Sequence, residues 1–149
     1  MKLSTKGEYA SRAMLELALR YDERPLHIRE ISAAQGIPEQ FLEQILLQLK
    51  RSGYLRSKKG PLGGYFLAKP PSRISVAEII RVMDGPLAPI QCVSVTAHEV
   101  CPYERACALK GLWKETRDAI AAILERTTFA DLADRTRAAD KGPSEGGSR

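Results

Sequence analysis

The 149-residue chain carries three cysteines, Cys92, Cys101 and Cys107, and all three fall within one sixteen-residue segment. Eight residues separate the first pair and five the second. Thiolates suit iron–sulfur clusters and zinc, and they form reversible redox centres when no metal is bound. A centre with four ligand sites needs one more donor. His98 lies three residues before Cys101 and completes a Cys₃His set suited to zinc. Three readings of the segment therefore stand together: an iron–sulfur cluster (2Fe-2S or 4Fe-4S), a zinc site, and a cofactor-free thiol sensor.

A second chemistry lies upstream. From Gln44 to Ala77 there is no Asp or Glu, while Lys50, Arg51, Arg56, Lys58, Lys59, Lys69 and Arg73 supply seven cations, more than the net charge of +5 of the whole chain. The remainder of the chain is therefore net acidic. An acid-free basic stretch suits a polyanion such as the phosphate backbone of nucleic acid. Charge alone describes a solvated basic surface equally well. The local pattern decides between them.

That pattern is a helix pair followed by a Gly-rich hairpin. The first helix is predicted from Lys6 to Tyr21, with Thr5 and Glu8 at capping-box spacing and Ala10, Ala13, Met14, Leu17, Ala18 and Tyr21 on one apolar stripe. A short helix from Ile28 to Ala34 follows, ended by Gly36. Pro38 suits the first position of a third helix, which buries Leu42, Ile45, Leu46 and Leu49 and stops at Gly53. It turns Glu39, Gln40, Glu43, Gln44, Gln48 and Arg51 to solvent, and such long polar side chains reach base edges in a helix-turn-helix. Strands at Tyr54–Lys58 and Tyr65–Ala68 flank Lys59-Gly60-Pro61-Leu62-Gly63-Gly64. This is a wing, and Ser57, Lys58, Lys59, Gly60, Pro61, Gly63 and Gly64 are its candidate DNA-binding residues. No helix starts from the loop, so an enzyme's phosphate-binding loop fits less well.

Ser75 and Glu78 form another capping-box pattern, opening a helix with Val76, Ile79, Ile80 and Met83 inward that ends at Gly85-Pro86. A long helix is predicted from Ala108 to Arg126, with Leu109, Leu112, Trp113, Thr116, Ala119, Ile120, Ile123 and Leu124 on one face. That face is either a homodimer seam or a surface folded back onto the same domain. A short closing helix follows at Thr128–Leu132. The expected fold class is mainly α with a small β-hairpin wing: a winged helix-turn-helix over residues 1–84, a cysteine-containing sensor loop over 85–107, dimerisation and closing helices over 108–135, and a disordered tail over 136–149. No apolar run approaches the roughly 20 residues of a membrane helix, and Met1 to Lys6 lacks the apolar run of a signal peptide, so a cytoplasmic protein is expected. No nucleophile motif, paired catalytic acids or nucleotide loop stands out, which argues against an enzyme.

The segments Met1–Ala10, Phe41-Leu42-Glu43-Gln44, Lys59–Tyr65 and Leu112-Trp113 resemble the Rrf family of bacterial winged-helix regulators, which includes IscR, NsrR, RirA and CymR types. The likeness is collinear over about Met1 to Arg135. It implies a homodimeric transcription regulator on a partly palindromic, double-stranded operator. It also implies that Glu43 and Gln44 read bases, and that the wing tip at Lys59-Gly60 enters the minor groove, where Arg is common in place of Lys59. The cysteine loop resembles the cluster-binding loops of the IscR, NsrR and RirA types. The sequence Gly85-Pro86-Leu87-Ala88-Pro89-Ile90 resembles instead the CymR type, which lacks those cysteines. Where IscR-type relatives place a ligating His, this chain has Lys110. Glu8 occupies the position from which some relatives contribute a carboxylate, and it competes there with its capping role.

Overall fold

Helix α1 (Thr5–Leu19) is capped by Ser4, whose Oγ accepts from the Gly7 N–H at 2.9 Å. This corrects the expected Thr5–Glu8 capping box. The reason is tertiary. The carboxylate that accepts from the Ser4 N–H, at 3.0 Å, belongs to Asp84, eighty residues away. Gly7 is buried beneath that carboxylate, and a Cβ there would stand 2.6 Å from Asp84 Oδ2. The helix also stops short of Tyr21, which is exposed. The computed structural model describes residues 2–142.

Helix α2 (Ile28–Gln35) ends at Gly36, whose φ of 64° places it in the left-handed region that favours glycine. Helix α3 (Glu39–Arg51) follows, with Pro38 as its N-cap, one position earlier than expected. Leu42, Ile45, Leu46 and Leu49 are buried as their spacing requires. They meet Ala10, Ala13, Met14 and Leu17 of α1 and Ile31 of α2 in the main core. Strands β1 (Leu55–Lys58) and β2 (Gly64–Leu67) pair antiparallel, with Leu55 opposite Leu67 and Lys58 opposite Gly64. Leu55 and Leu67 point into the core and root the hairpin there.

Helix α4 (Val76–Asp84) opens with the expected Ser75–Glu78 capping box. The segment after it, Gly85 to Cys107, holds only two short 3-10 turns, Gln91–Val93 and Glu104–Ala106. Helix α5 (Ala108–Arg126) has the predicted bounds. Helix α6 (Phe129–Asp140) is longer than the short closing helix expected, and residues 136–140 are helical where a disordered tail was expected. The remainder of that tail, 143–149, lies outside the described residues. Two buried residues explain the longer helix: Phe129 and Ala133 join the main core against α1. Arg137 also donates to the Leu19 carbonyl at 3.0 Å, satisfying an acceptor that the end of α1 leaves free. No helix among the described residues is long and apolar enough to cross a membrane.

Candidate nucleic-acid interface and cysteine loop

The amphipathic pattern of α3 leaves Glu39, Gln40, Glu43, Gln44, Lys50 and Arg51 exposed on the side away from the core. Phe41 and Leu47 are exposed there too, 61% and 41% of their surface respectively, which the polar pattern did not foretell. Phe41 meets the Tyr9 ring edge-on at 6.4 Å. Gln48 departs from expectation. It is half-buried, and its Nε2 donates to the Val82 carbonyl of α4 at 2.9 Å, so it ties two helices together rather than reaching outward.

The wing brings Ser57, Lys58, Lys59, Gly60 and Pro61 to the surface. Lys50 of α3 donates to the Ser57 hydroxyl at 2.6 Å, joining the last turn of α3 to β1. Lys50, Arg56, Ser57 and Lys69 line one open groove of about 590 Å³, and the Lys69 ammonium stands 5.3 Å from the centre of the Tyr54 ring. Two wing glycines face protein instead of solvent. Gly63 is buried, and a Cβ on it would lie 2.1 Å from the Lys58 carbonyl oxygen. Gly64, at φ 139°, would put a Cβ 2.3 Å from the Leu26 carbonyl oxygen. Both are glycine because the hairpin must close tightly and lie against the chain before α2.

The ion pairs formed among the described residues all lie outside the acid-free stretch. Arg12, Arg24, Arg81, Lys110 and Arg117 all meet carboxylates. Among the described residues, none of the seven cations between Lys50 and Arg73 does. The basic surface of α3 and the wing therefore keeps its charge available to an external anion.

In the cysteine loop, Cys92 and Cys101 line one open pocket of about 380 Å³ with Ile90, Gln91, Glu99 and Val100. The Glu99 N–H donates to the Gln91 carbonyl at 3.3 Å, which folds the chain so that the two cysteines share that pocket. Cys107 is not among its walls and stands at the start of α5. Among the described residues no three His, Cys, Asp or Glu side chains are gathered to hold a metal ion. Glu8 is exposed and paired with Arg12 at 2.8 Å. His98 stands 3.2 Å from Glu104, which also accepts from Lys110. Those two partners, Lys110 first, hold the Glu104 carboxyl below its ordinary pKa. Three thiols are the right donor chemistry for a cluster, but this arrangement of the protomer does not assemble them into a ligand set.

Helix α5 has no buried residue in its nineteen. Leu109, Leu112 and Ile123 are about half exposed. Trp113 and Ile120 are half-buried, while Leu124 packs on Ala77, Ile80 and Leu87. Arg117 reaches back and donates to the Val93 carbonyl at 2.6 Å, fixing the loop to the helix.

Comparison with known proteins adds an independent line. The family described as Rrf2, iron-dependent transcriptional regulator, matches residues 3–135. The sequence is 35% identical over 136 residues to the HTH-type transcriptional regulator CymR of Bacillus subtilis, covering 91% of this chain and 92% of that protein. It is 35% identical over 140 residues to the HTH-type transcriptional regulator IscR of Photorhabdus laumondii, covering 94% and 84% respectively. The fold superposes on the B. subtilis structure of CymR, the global cysteine regulator, with a TM-score of 0.75 at 35% identity over 91% of this chain and 98% of the other. On the IscR structure from T. potens the TM-score is 0.76 at 31% identity, over 98% and 94%.

Proposed function

The chain belongs to the Rrf2 family of transcriptional regulators, DNA-binding proteins that are not enzymes, and on that premise we propose that it acts as a homodimer on double-stranded operator DNA, with its input read at the cysteine loop. The observation that carries the DNA reading is the set of cations from Lys50 to Arg73, which have no carboxylate partner among the described residues beside the exposed polar face of α3. In this reading α3 enters the major groove and Glu43 and Gln44 face base edges. Lys58, Lys59 and Gly60 lie along the adjacent minor groove and its phosphates. The half-exposed apolar side chains of α5 are covered by the same helix of a second copy.

The input reading rests on three thiols flanked by two helices of different duty. Helix α4 runs from the DNA-binding core to the loop, and α5 leads out of it. A change of state at the loop shifts the population of dimer geometries that fit an operator. The family's description as iron-dependent and the three-thiol donor chemistry favour an iron–sulfur cluster. Loading it requires Cys107 to join Cys92 and Cys101 by a rearrangement of the loop. The shared pocket of Cys92 and Cys101 supports a second reading, a cofactor-free thiol sensor. Zinc is the weakest of the three, because His98 already faces Glu104.

Two measurements test the proposal. Protein purified without oxygen is titrated into a duplex library at increasing salt, where affinity that falls steeply with salt is expected and absence of duplex binding in every state overturns the regulator reading for this chain. Its absorption spectrum and iron and sulfide content are read on the same sample. Charge-transfer bands lost on substitution of each cysteine support the cluster. Iron and sulfide retained in Cys92→Ala, Cys101→Ala and Cys107→Ala alike exclude those thiols as its ligands, and a colourless protein whose affinity responds to peroxide supports the thiol sensor.

A further inference from the structure

We propose that His27 is a positioning residue for the wing: its imidazole holds the wing tip against the start of the helix-turn-helix, and so sets the affinity for duplex DNA without contacting DNA. The inference rests on the DNA-binding reading above. It starts from the size of the hairpin. Two strands of four residues are marginal in water on their own, so something else must fix where the tip points.

Two contacts do so. On β2, one residue from the tip end of the hairpin, Leu26 and Tyr65 exchange both backbone hydrogen bonds, at 2.9 Å and 2.8 Å, which the missing side chain of Gly64 permits. Near the tip, His27 Nε2 lies 3.1 Å from the Pro61 carbonyl oxygen. A carbonyl can only accept, so Nε2 carries the proton. The tip itself is closed by a single turn bond, from the Gly63 N–H to the Gly60 carbonyl at 2.9 Å. The imidazole therefore joins an exposed turn to the body of the domain.

Its mounting is rigid. His27 is the N-cap residue of α2, and its backbone N–H donates to Glu30 Oε2 at 2.7 Å. Glu30 is in turn held by the Arg24 guanidinium. Without the imidazole the turn beyond the Leu26–Tyr65 bridge is closed only by its own Gly63–Gly60 bond, and binding DNA must then order it. Lys58 and Lys59 remain in place, so affinity falls while the number of phosphate contacts does not change.

The test uses the full chain and a duplex selected by the wild-type protein from a random library. His27→Gln, His27→Asn and His27→Ala are compared by fluorescence anisotropy across a salt series. The Gln amide nitrogen stands where Nε2 does and keeps the donor to Pro61. The Asn amide stands where Nδ1 does, caps a helix well, and cannot reach the wing. Ala and Asn are expected to bind about fivefold more weakly, the equivalent of one ordinary hydrogen bond, with an unchanged salt slope, and Gln to restore wild-type affinity. Amide exchange at Gly63 in the DNA-free protein is expected to quicken in Ala and Asn and to remain slow in Gln. Wild-type affinity in the Asn variant, or a folded Gln variant as weak as Asn, overturns the proposal. A salt slope lowered by about one makes His27 a phosphate contact instead. A wild-type chain that binds no duplex refutes the regulator reading, and exchange at Gly63 then still decides whether His27 holds the tip.

Discussion

The Gln48 side chain donates to the backbone carbonyl of Val82 across 2.9 Å, so helix α3 is bound to the last turn of α4, immediately before the cysteine loop begins. Val82 offers one of the terminal carbonyls that a helix leaves without an internal partner. The bond therefore completes the end of α4 and couples it to α3, the helix proposed to face DNA. Ser4 and Asp84 brace the same turn from the other side.

Gln48→Ala is expected to lower stability by about 1 kcal/mol, the usual net worth of one such bond. It is also expected to narrow the difference in DNA affinity between the protein with its loop reduced and with its loop oxidised. Urea unfolding reads the first effect and paired binding isotherms read the second. An unchanged affinity difference removes Gln48 from the route between loop and α3.

Lys58 and Lys59 are exposed on the wing and carry no carboxylate partner among the described residues. Changing both to Ala is expected to weaken binding to all sequences and to flatten the dependence of log K on log salt by up to about two contacts. Glu43→Ala is expected to act differently, because a carboxylate accepts from cytosine and repels phosphate. Sequence preference should shift while overall affinity is held or improved. Binding to a library at several salt concentrations separates the two patterns.

Glu30 carries a pH dependence with a definite sign. The Arg24 side chain first, and then the His27 backbone N–H, hold its carboxyl at about 2, well below the ordinary carboxylate range. A depressed folded-state pKa stabilises the fold above the ordinary value and loses that contribution as pH falls toward the depressed one. Stability is therefore expected to decline between about pH 5 and about pH 2 more in wild type than in Glu30→Gln. Both groups of the pair are solvent-accessible, so the difference is modest. Parallel pH profiles of the urea midpoint would remove Glu30 as a contributor.

What the sequence displays in periodic form, the structure keeps. Helix α5 has the bounds its apolar spacing gives, and Ser75 and Glu78 cap α4 because both partners lie within one turn. What depends on distant partners was not visible. The cap of α1 moves to Ser4 because Asp84 supplies the carboxylate, and no local pattern points there. Gln48 reads as a surface residue until Val82 is placed beside it. His27 and Pro61 are 34 residues apart, and neither has a local role that announces the other. Helix α6 runs past Leu132 on largely polar sequence, because Phe129 and Ala133 suffice to anchor it on α1. Spacing put three thiols in one loop, but only the folded chain shows that two of them share a pocket.

Helix α5 provides the remaining prediction. Leu112 and Ile123 are about half exposed, and Trp113 and Ile120 are half-buried, on a helix none of whose residues is buried. Such a stripe exceeds the scattered apolar exposure of an ordinary surface helix, and the proposed two-fold seam with the same helix of another copy would cover it. Leu124 packs against α4 instead and is left unchanged in this test. Ile120→Glu combined with Ile123→Glu is expected to convert the dimer to a folded monomer, because two carboxylates per protomer cannot be buried in the seam without partners. Half-sites about one helical turn apart then lose their simultaneous engagement, and operator affinity falls far more than binding to an isolated half-site. Sedimentation of the wild-type and doubly substituted chains, with and without DNA, reads both effects. A wild-type chain that sediments as a monomer while tightly bound to a palindrome would show that α5 is not the seam.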